Sequence, residues 1–271
     1  MSKNPVDKLK VLLSSIPFLR WIVLKLLKFI SRDITIQNPY TGDKLFLNLY
    51  RHKGYWYFGR SRERATMEKF RQLIPPGSNV VEIGGHIGFI SQYFSMLVGE
   101  AGKVIVFEPG SNNLPYTEAN VKSKKNIQLV KKAVSDKPGE AIFYEDNITG
   151  QNNSLLSDYK NADSVSKTHS EKLEKHKRVV QVTTLDNYLD ENGLICDFIK
   201  IDIEGFELNA LRGMPKTLQK CKSLMIEVTE NQEEVSKILM ANQFSIEDED
   251  GNKLAPIPRT FNGNIFALKL H

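Results

Sequence analysis

The run VVEIGGHIG at 80–88 constrains this chain more than any other stretch, because it passes from a short apolar segment through three glycines into a helical pattern beginning near Phe89. Glycines at 84, 85 and 88 let the backbone turn tightly and approach a ligand closely, and the helix start beyond them presents free N–H groups. Further apolar runs follow at 104–107, 127–130, 195–201 and 224–228, interleaved with helical stretches near 89–98, 111–124, 185–191, 205–213 and 232–241. Strands without polar alternation, separated by helices, predict an α/β fold with a doubly wound parallel sheet. A hydrophobic share of 41% is ample for the core this needs.

Twenty residues past Gly88 the next apolar run ends in Glu108-Pro109. An acid at the end of the second strand is placed to accept hydrogen bonds from both hydroxyls of a ribose, so the pattern as a whole predicts a nucleoside cofactor. The dinucleotide fingerprint G-x-G-x-x-G, aligned on Gly85 and Gly88, requires glycine where this chain has Ile83. Glu82 sits poorly beside a pyrophosphate but well beside the ammonium and sulfonium charges of S-adenosylmethionine. The electrostatics favour that cofactor over a nicotinamide dinucleotide.

A second constellation is DFIKIDIEGFE at 197–207, where Lys200, Asp202 and Glu204 cluster before Gly205 and Glu207 opens a helix. Ligands of open α/β sheets bind outside the carboxyl ends of the strands, which puts Asp202 and Glu204 on one rim with Glu82, Glu108 and Glu227. For Glu207, a helix-dipole role is as well supported as a catalytic one. Phe198, Ile199 and Ile201 already supply burial to this strand, so Asp202 and Glu204 are not needed there for packing.

Charge is unevenly spread. Residues 1–32 carry seven Lys and Arg against Asp7 alone, whereas the rest of the chain holds thirty Lys and Arg against thirty-one Asp and Glu. A body so near neutrality lacks the electrostatic footprint of a nucleic-acid binder, and no nucleic-acid partner is expected. Within the basic segment, FLRWIVLKLLKFI at 18–30 follows Pro17, which suits a first helical turn. At helical spacing Arg20, Lys25, Lys28 and Arg32 share one sector, with Trp21 and Leu24 among them, and the remaining circumference is almost wholly apolar. This stretch is too short to span a bilayer; it suits either a membrane interface or packing against protein.

A hairpin is expected over 33–50 and a charged helix over 62–73, ending at Pro75-Pro76-Gly77. The polar stretch 161–178, holding His169 and His176, reads as an insertion without metal-ligand spacing. Beyond Ala241, the stretches 244–247 and 265–270 read as a closing β pair that adds an antiparallel edge. Cys196 and Cys221 cannot build a disulfide framework or a four-ligand zinc site, and no secretory cleavage pattern opens the chain, which points to the cytoplasm.

Over about residues 54–245 these blocks resemble the FkbM-type S-adenosylmethionine-dependent methyltransferases. VVEIGGHIGF at 80–89 is similar to the family's strand–glycine motif, and VIVFEPGSNN at 104–113 to its second-strand block, with Asn120 where an Asn is usual. AVSDKPGE at 133–140 resembles the segment lining the adenine. TLDNYL at 184–189 and FIKIDIEGFELNALRGM at 198–214 resemble the most distinctive block. The family usually has Asp at 82 and Asn at 86. Glu82 preserves the charge on a longer arm, while His86 alters the local hydrogen bonding; it is expected to be a cofactor-loop residue, with a neutral-pH base as the other option.

The resemblance implies a class I fold with a seven-stranded, mostly parallel sheet. Residues 1–53 then form an N-terminal helix and β-hairpin extension, and 54–271 a methyltransferase domain. It implies S-adenosylmethionine as cofactor, held by Glu82, Gly84, Gly85, His86, Gly88, Glu108, Pro109, Ala133, Val134 and Ser135. It also implies O-methylation of a sugar, lipid-linked or secondary-metabolite hydroxyl. An alcohol must lose its proton on methylation, and Asp202 and Glu204 are the candidates for general base or for ligands of a divalent cation. Two other readings stay open: a non-catalytic protein of this fold held on the inner face of a membrane by residues 1–32, and a nucleotide-binding oxidoreductase.

Overall fold

The computed structural model describes residues 17–157 and 173–270. Its first element is helix α1 (Pro17–Phe29), followed by the expected hairpin of β1 (Asp33–Gln37) and β2 (Lys44–Asn48). The hairpin is antiparallel, with Ile34 opposite Leu47 and Ile36 opposite Leu45, so these four side chains share one face. Leu45 and Leu47 are fully buried there. Helix α2 (Lys53–Phe58), a single 3-10 turn and helix α3 (Arg64–Leu73) lead to the central sheet.

That sheet is built from β3 (Asn79–Ile83), β4 (Lys103–Phe107), β5 (Ile127–Val130), β9 (Phe198–Ile201), β10 (Ser223–Val228), β11 (Phe244–Asp248) and β12 (Gly263–Lys269). Their order is β11-β12-β10-β9-β3-β4-β5, and β3, β4, β5, β9 and β10 run parallel. Helices α4 (Phe89–Val98), α5 (Leu114–Val121), α6 (Leu185–Asn192), α7 (Glu207–Arg212), α8 (Pro215–Lys220) and α9 (Gln232–Ala241) intervene. Alternate residues of the strands feed two cores. Val81, Ile83, Ile105, Phe107 and Ile199 join one, while Val80, Val104, Phe198 and Met225 join the other with Phe70, Phe94 and Phe266. Burial on both faces explains why these strands read as continuous apolar runs.

Three details depart from the sequence expectations. The closing pair exists, but β12 is not an edge: it inserts antiparallel between β10 and β11, and β11 takes the edge. Its central residues Ile265, Phe266 and Ala267 are fully buried, which an interior strand requires. A second, three-stranded sheet, β6 (Ala133–Val134), β8 (Lys175–Thr183) and β7 (Gly139–Asp146) in the order β6-β8-β7, was not foreseen. Strand β8 claims the last four residues of the expected insertion, His176 among them, because they pair with Phe143–Asp146. Residues 161–172, with His169, lie outside the described residues.

Candidate active site

Strands β3, β4 and β9 deliver their carboxyl ends to a cavity of about 310 Å³. The glycine turn forms its floor. The N–H groups of Gly84 and Gly85 both donate to the Phe107 carbonyl, at 3.0 and 3.1 Å, and Gly88 N–H donates to the Gly85 carbonyl at 2.8 Å. A Cβ on Gly84 would collide with the Asp202 carbonyl oxygen and one on Gly85 with the Val106 side chain, so β3 can approach its neighbours this closely only through glycine. Gly88, with φ +80°, caps α4 just outside the cavity wall.

Glu108 accepts from His86 N–H at 2.7 Å, from Gly110 N–H at 2.8 Å and from Asn113 Nδ2 at 3.3 Å. It therefore organises the turn as well as facing the cavity, and its two oxygens retain lone pairs for further donors. Burial raises its pKa to about 7 against the pull of these bonds. Burial also raises Glu82 to about 7, opposed by Lys200; Glu82 accepts a 2.5 Å hydrogen bond from Ser91 and lies 4.0 Å from the Lys200 ammonium. Two buried carboxylates so incompletely compensated, with the buried Asn113 Oδ1 unpartnered among the described residues in the same wall, suit a ligand that is cationic and carries hydroxyl donors. Pro109, Ala133 and Val134 line the cavity beside them, whereas Ser135 faces a neighbouring depression.

The cavity is also lined by Asp202, Glu204 and Glu227, whose oxygens come within 4.8 Å of one another. Burial alone would raise the Asp202 carboxyl, but the Lys200 ammonium 3.1 Å away holds it below its ordinary value. This ion pair gives Asp202 a structural task that its sequence context did not reveal. Glu227 moves the other way: burial, then the Asp202 charge, raises its pKa to about 8. Glu204 takes a left-handed φ of +56°, rare for a residue with a Cβ, and precedes Gly205 at φ +92°. Glu207 caps this turn, its Oε1 accepting from Ile203 N–H at 3.1 Å and Gly205 N–H at 3.0 Å.

His86 also lines the cavity, but not as a neutral-pH base. Its Nδ1 accepts from the Tyr55 hydroxyl at 2.8 Å and its Nε2–H donates to the Thr149 carbonyl at 3.2 Å. Burial lowers its pKa to about 4. The imidazole is a neutral strut between the N-terminal extension and the 147–153 loop. That loop is tied down by Asp146, which accepts from the backbone N–H groups of Ile148, Thr149 and Asn152. Asn120 joins the same framework, donating to the carbonyls of Ile87 and Phe46 and accepting from Phe46 N–H.

Sequence reasoning missed one part of the cavity lining. Tyr55, Arg62, Glu63 and Thr66 form it, with Arg62 lying 4.4 Å above the Tyr55 ring and 3.0 Å from the Glu63 carboxylate. Gln151 and Asn153 also reach the cavity. The usable signals were the aromatic run YWYF at 55–58 and the polar NITGQNNS at 147–154.

Five parallel strands, a β12 inserted beside β10, a glycine turn and an acid at the end of β4 define a class I S-adenosylmethionine-dependent methyltransferase. The chain belongs to the FkbM methyltransferases: the family model for the methyltransferase FkbM domain matches residues 82–250. No curated protein matches it. Among solved structures, fibrillarin from Aeropyrum pernix with bound S-adenosylmethionine is 12% identical, covering 87% of this chain and 89% of that one at a TM-score of 0.42. An S-adenosylmethionine-dependent methyltransferase from Aquifex aeolicus is 16% identical, covering 80% and 97% at 0.40. An S-adenosylmethionine-dependent O-methyltransferase from Thermotoga maritima is 11% identical, covering 88% and 78% at 0.43. The family match and the strand order carry the assignment; these distant likenesses do not.

Proposed function

We propose that this chain methylates a hydroxyl oxygen of a sugar, lipid-linked or secondary-metabolite acceptor in the cytoplasm. The observation that carries the reading is one cavity lined both by Gly84, Gly85 and His86 of the glycine turn and by Asp202, Glu204 and Glu227. When bound, the cofactor supplies an electrophilic methyl group on a sulfonium. Glu82 then faces its cationic groups, Gly84, Gly85, His86 and Gly88 shape its bed, Glu108 takes the ribose hydroxyls, and Pro109, Ala133 and Val134 border the adenine. Much of the rate comes from holding acceptor and methyl in line.

A hydroxyl acceptor must shed a proton. Lys200 weakens Asp202 as a base and burial favours the protonated form of Glu227, so Glu204 takes the base role and Asp202 holds Lys200 in its buried place. The proximity of the three carboxylates favours a second reading, in which they hold a divalent cation with hard oxygen ligands. That cation would displace the Glu227 proton, and chelator would then abolish turnover. The near-neutral body of the protein argues against a nucleic-acid acceptor.

The test is incubation with radiolabelled S-adenosylmethionine and a fractionated cytoplasmic extract. Label recovered as an alkali-stable methyl ether supports the reading. Label on an amine, on nucleic acid, or on nothing at all defeats it.

A further inference from the structure

Helix α1 uses little of its apolar surface within the fold. Leu24 is buried and Val23 and Leu27 are half-buried, but Phe18 and Phe29 are 70% and 89% exposed, and Trp21, Ile22, Leu26 and Ile30 are exposed with them. Of the thirteen large apolar side chains exposed among the described residues, six therefore fall within residues 18–30. At 100° per residue, the packed side centres on Val23, Leu27 and Leu24. The opposite side carries Phe18, Ile22, Leu26 and Phe29, and Lys25 and Lys28 fall beside and among them. The Lys25 ammonium lies 3.9 Å from the Trp21 ring centroid, and Phe18 stacks on Trp21 at 6.2 Å.

We infer that this face of α1 docks on an anionic lipid bilayer. Anything covering the exposed apolar side chains must also meet Lys25 and Lys28 on the same side. A second copy of the chain would bring an identical basic arc against it, and the like charges would repel. An anionic bilayer meets both requirements: headgroups pair with the two lysines, and the acyl boundary accepts the aromatic and aliphatic side chains without a matched pocket. Residues 1–32 hold seven basic side chains and one acid, which extends the complementarity beyond the helix itself. The helix has thirteen residues, about 20 Å at 1.5 Å per residue, so it lies in the interface and does not cross it. Among the described residues no helix is long and apolar enough to cross a membrane.

The surface goes beyond the methyl-transfer reading and stands or falls separately from it. The N-terminal extension also connects it to the cavity. Asp33, four residues past the helix, accepts from the Tyr116 hydroxyl at 2.9 Å and from Asn48 at 3.0 Å, and the chain then continues into Tyr55 of the cavity wall.

The experiment is co-sedimentation of the full chain with two sets of vesicles, phosphatidylcholine alone and phosphatidylcholine with about one third phosphatidylglycerol. Binding is expected only to the anionic vesicles, and it should weaken steeply with added salt. Phe18→Ser with Phe29→Ser, and separately Lys25→Glu with Lys28→Glu, should each reduce it by about tenfold or more. In the unaltered protein, brominated acyl chains should quench Trp21, one of only two tryptophans. Absence of sedimentation overturns the inference, as does binding that neither double variant weakens. Concentration-dependent self-association removed by the phenylalanine variant also overturns it, because α1 is then a subunit interface. Calorimetry of S-adenosylmethionine on the same proteins reads the cofactor site independently, so loss of methyl transfer with vesicle binding intact strikes only the catalytic reading.

Discussion

The Lys200 ammonium stands 3.1 Å from Oδ2 of Asp202, with only 3% of the lysine side chain in contact with solvent against 36% for the aspartate. A buried cation is thus paired with a carboxylate that opens into the cavity. The pair, reinforced by Glu82 and by the Gly84 carbonyl 3.3 Å from the ammonium, joins β9 to the glycine turn.

Lys200→Met should therefore damage the fold as well as catalysis. Breaking a buried ion pair costs roughly 3–5 kcal/mol, and the partial exposure of Asp202 places this case near the low end, about 3 kcal/mol. Denaturant melts should show that loss, and the double variant with Asp202→Asn should cost less than the two single changes together. Strict additivity would mean the two side chains do not interact.

Cofactor affinity should rise with pH. Glu82 and Glu108 keep protons up to about pH 7 that the unfolded chain releases near 4.5, so between those values the folded protein binds more protons and its stability falls as pH increases. A ligand bearing sulfonium and ammonium charges favours the ionised carboxylates, so it should bind more tightly through the same window and expel protons. Calorimetry in buffers of different ionisation enthalpy measures that release. PH-independent affinity with no proton expelled contradicts it.

Glu108→Ala should weaken S-adenosylmethionine and soften the turn together, because the carboxylate serves His86, Gly110 and Asn113 within the protein. Loss of a charged acceptor costs about 1.5–3 kcal/mol of binding, roughly ten- to a hundredfold in affinity. The thermal midpoint should fall too. Wild-type affinity in calorimetry would remove Glu108 from the cofactor site.

Glu204→Gly should separate stability from turnover. A left-handed backbone costs a non-glycine residue roughly 1–2 kcal/mol, so glycine should hold or raise the thermal midpoint. Single-turnover methylation should drop by about a hundredfold if the lost group is the base. A variant that melts normally and still transfers methyl at the native rate ends the assignment. Glu204→Gln provides the same kinetic comparison without the backbone change.

The parallel strands were legible because burial on both faces writes itself as unbroken apolar runs, and the glycine turn because only glycine tolerates the approach of the Asp202 carbonyl. The position of β12 was not. Phe266 and Ala267 are as apolar as an edge pair needs, and nothing local says that the strand slips between β10 and β11. The opposite states of Asp202 and Glu227 were equally hidden, since both are strand-end acids in sequence and only the Lys200 contact distinguishes them. For His86, expected as a cofactor-loop residue, the low basicity was hidden for a related reason: it comes from burial among distant parts of the chain.

The insertion of β12 between β10 and β11 also dictates an order of events during synthesis. Strands β3, β4, β5, β9 and β10 all precede residue 229, so the half of the sheet that carries the glycine turn, Glu108 and Asp202 can pair while translation continues. Strand β11 has no neighbour in the finished sheet except β12, and it must wait until residues 263–269 leave the ribosome. Until then the outer side of β10, the strand bearing Glu227, is an open edge of the kind that recruits foreign strands.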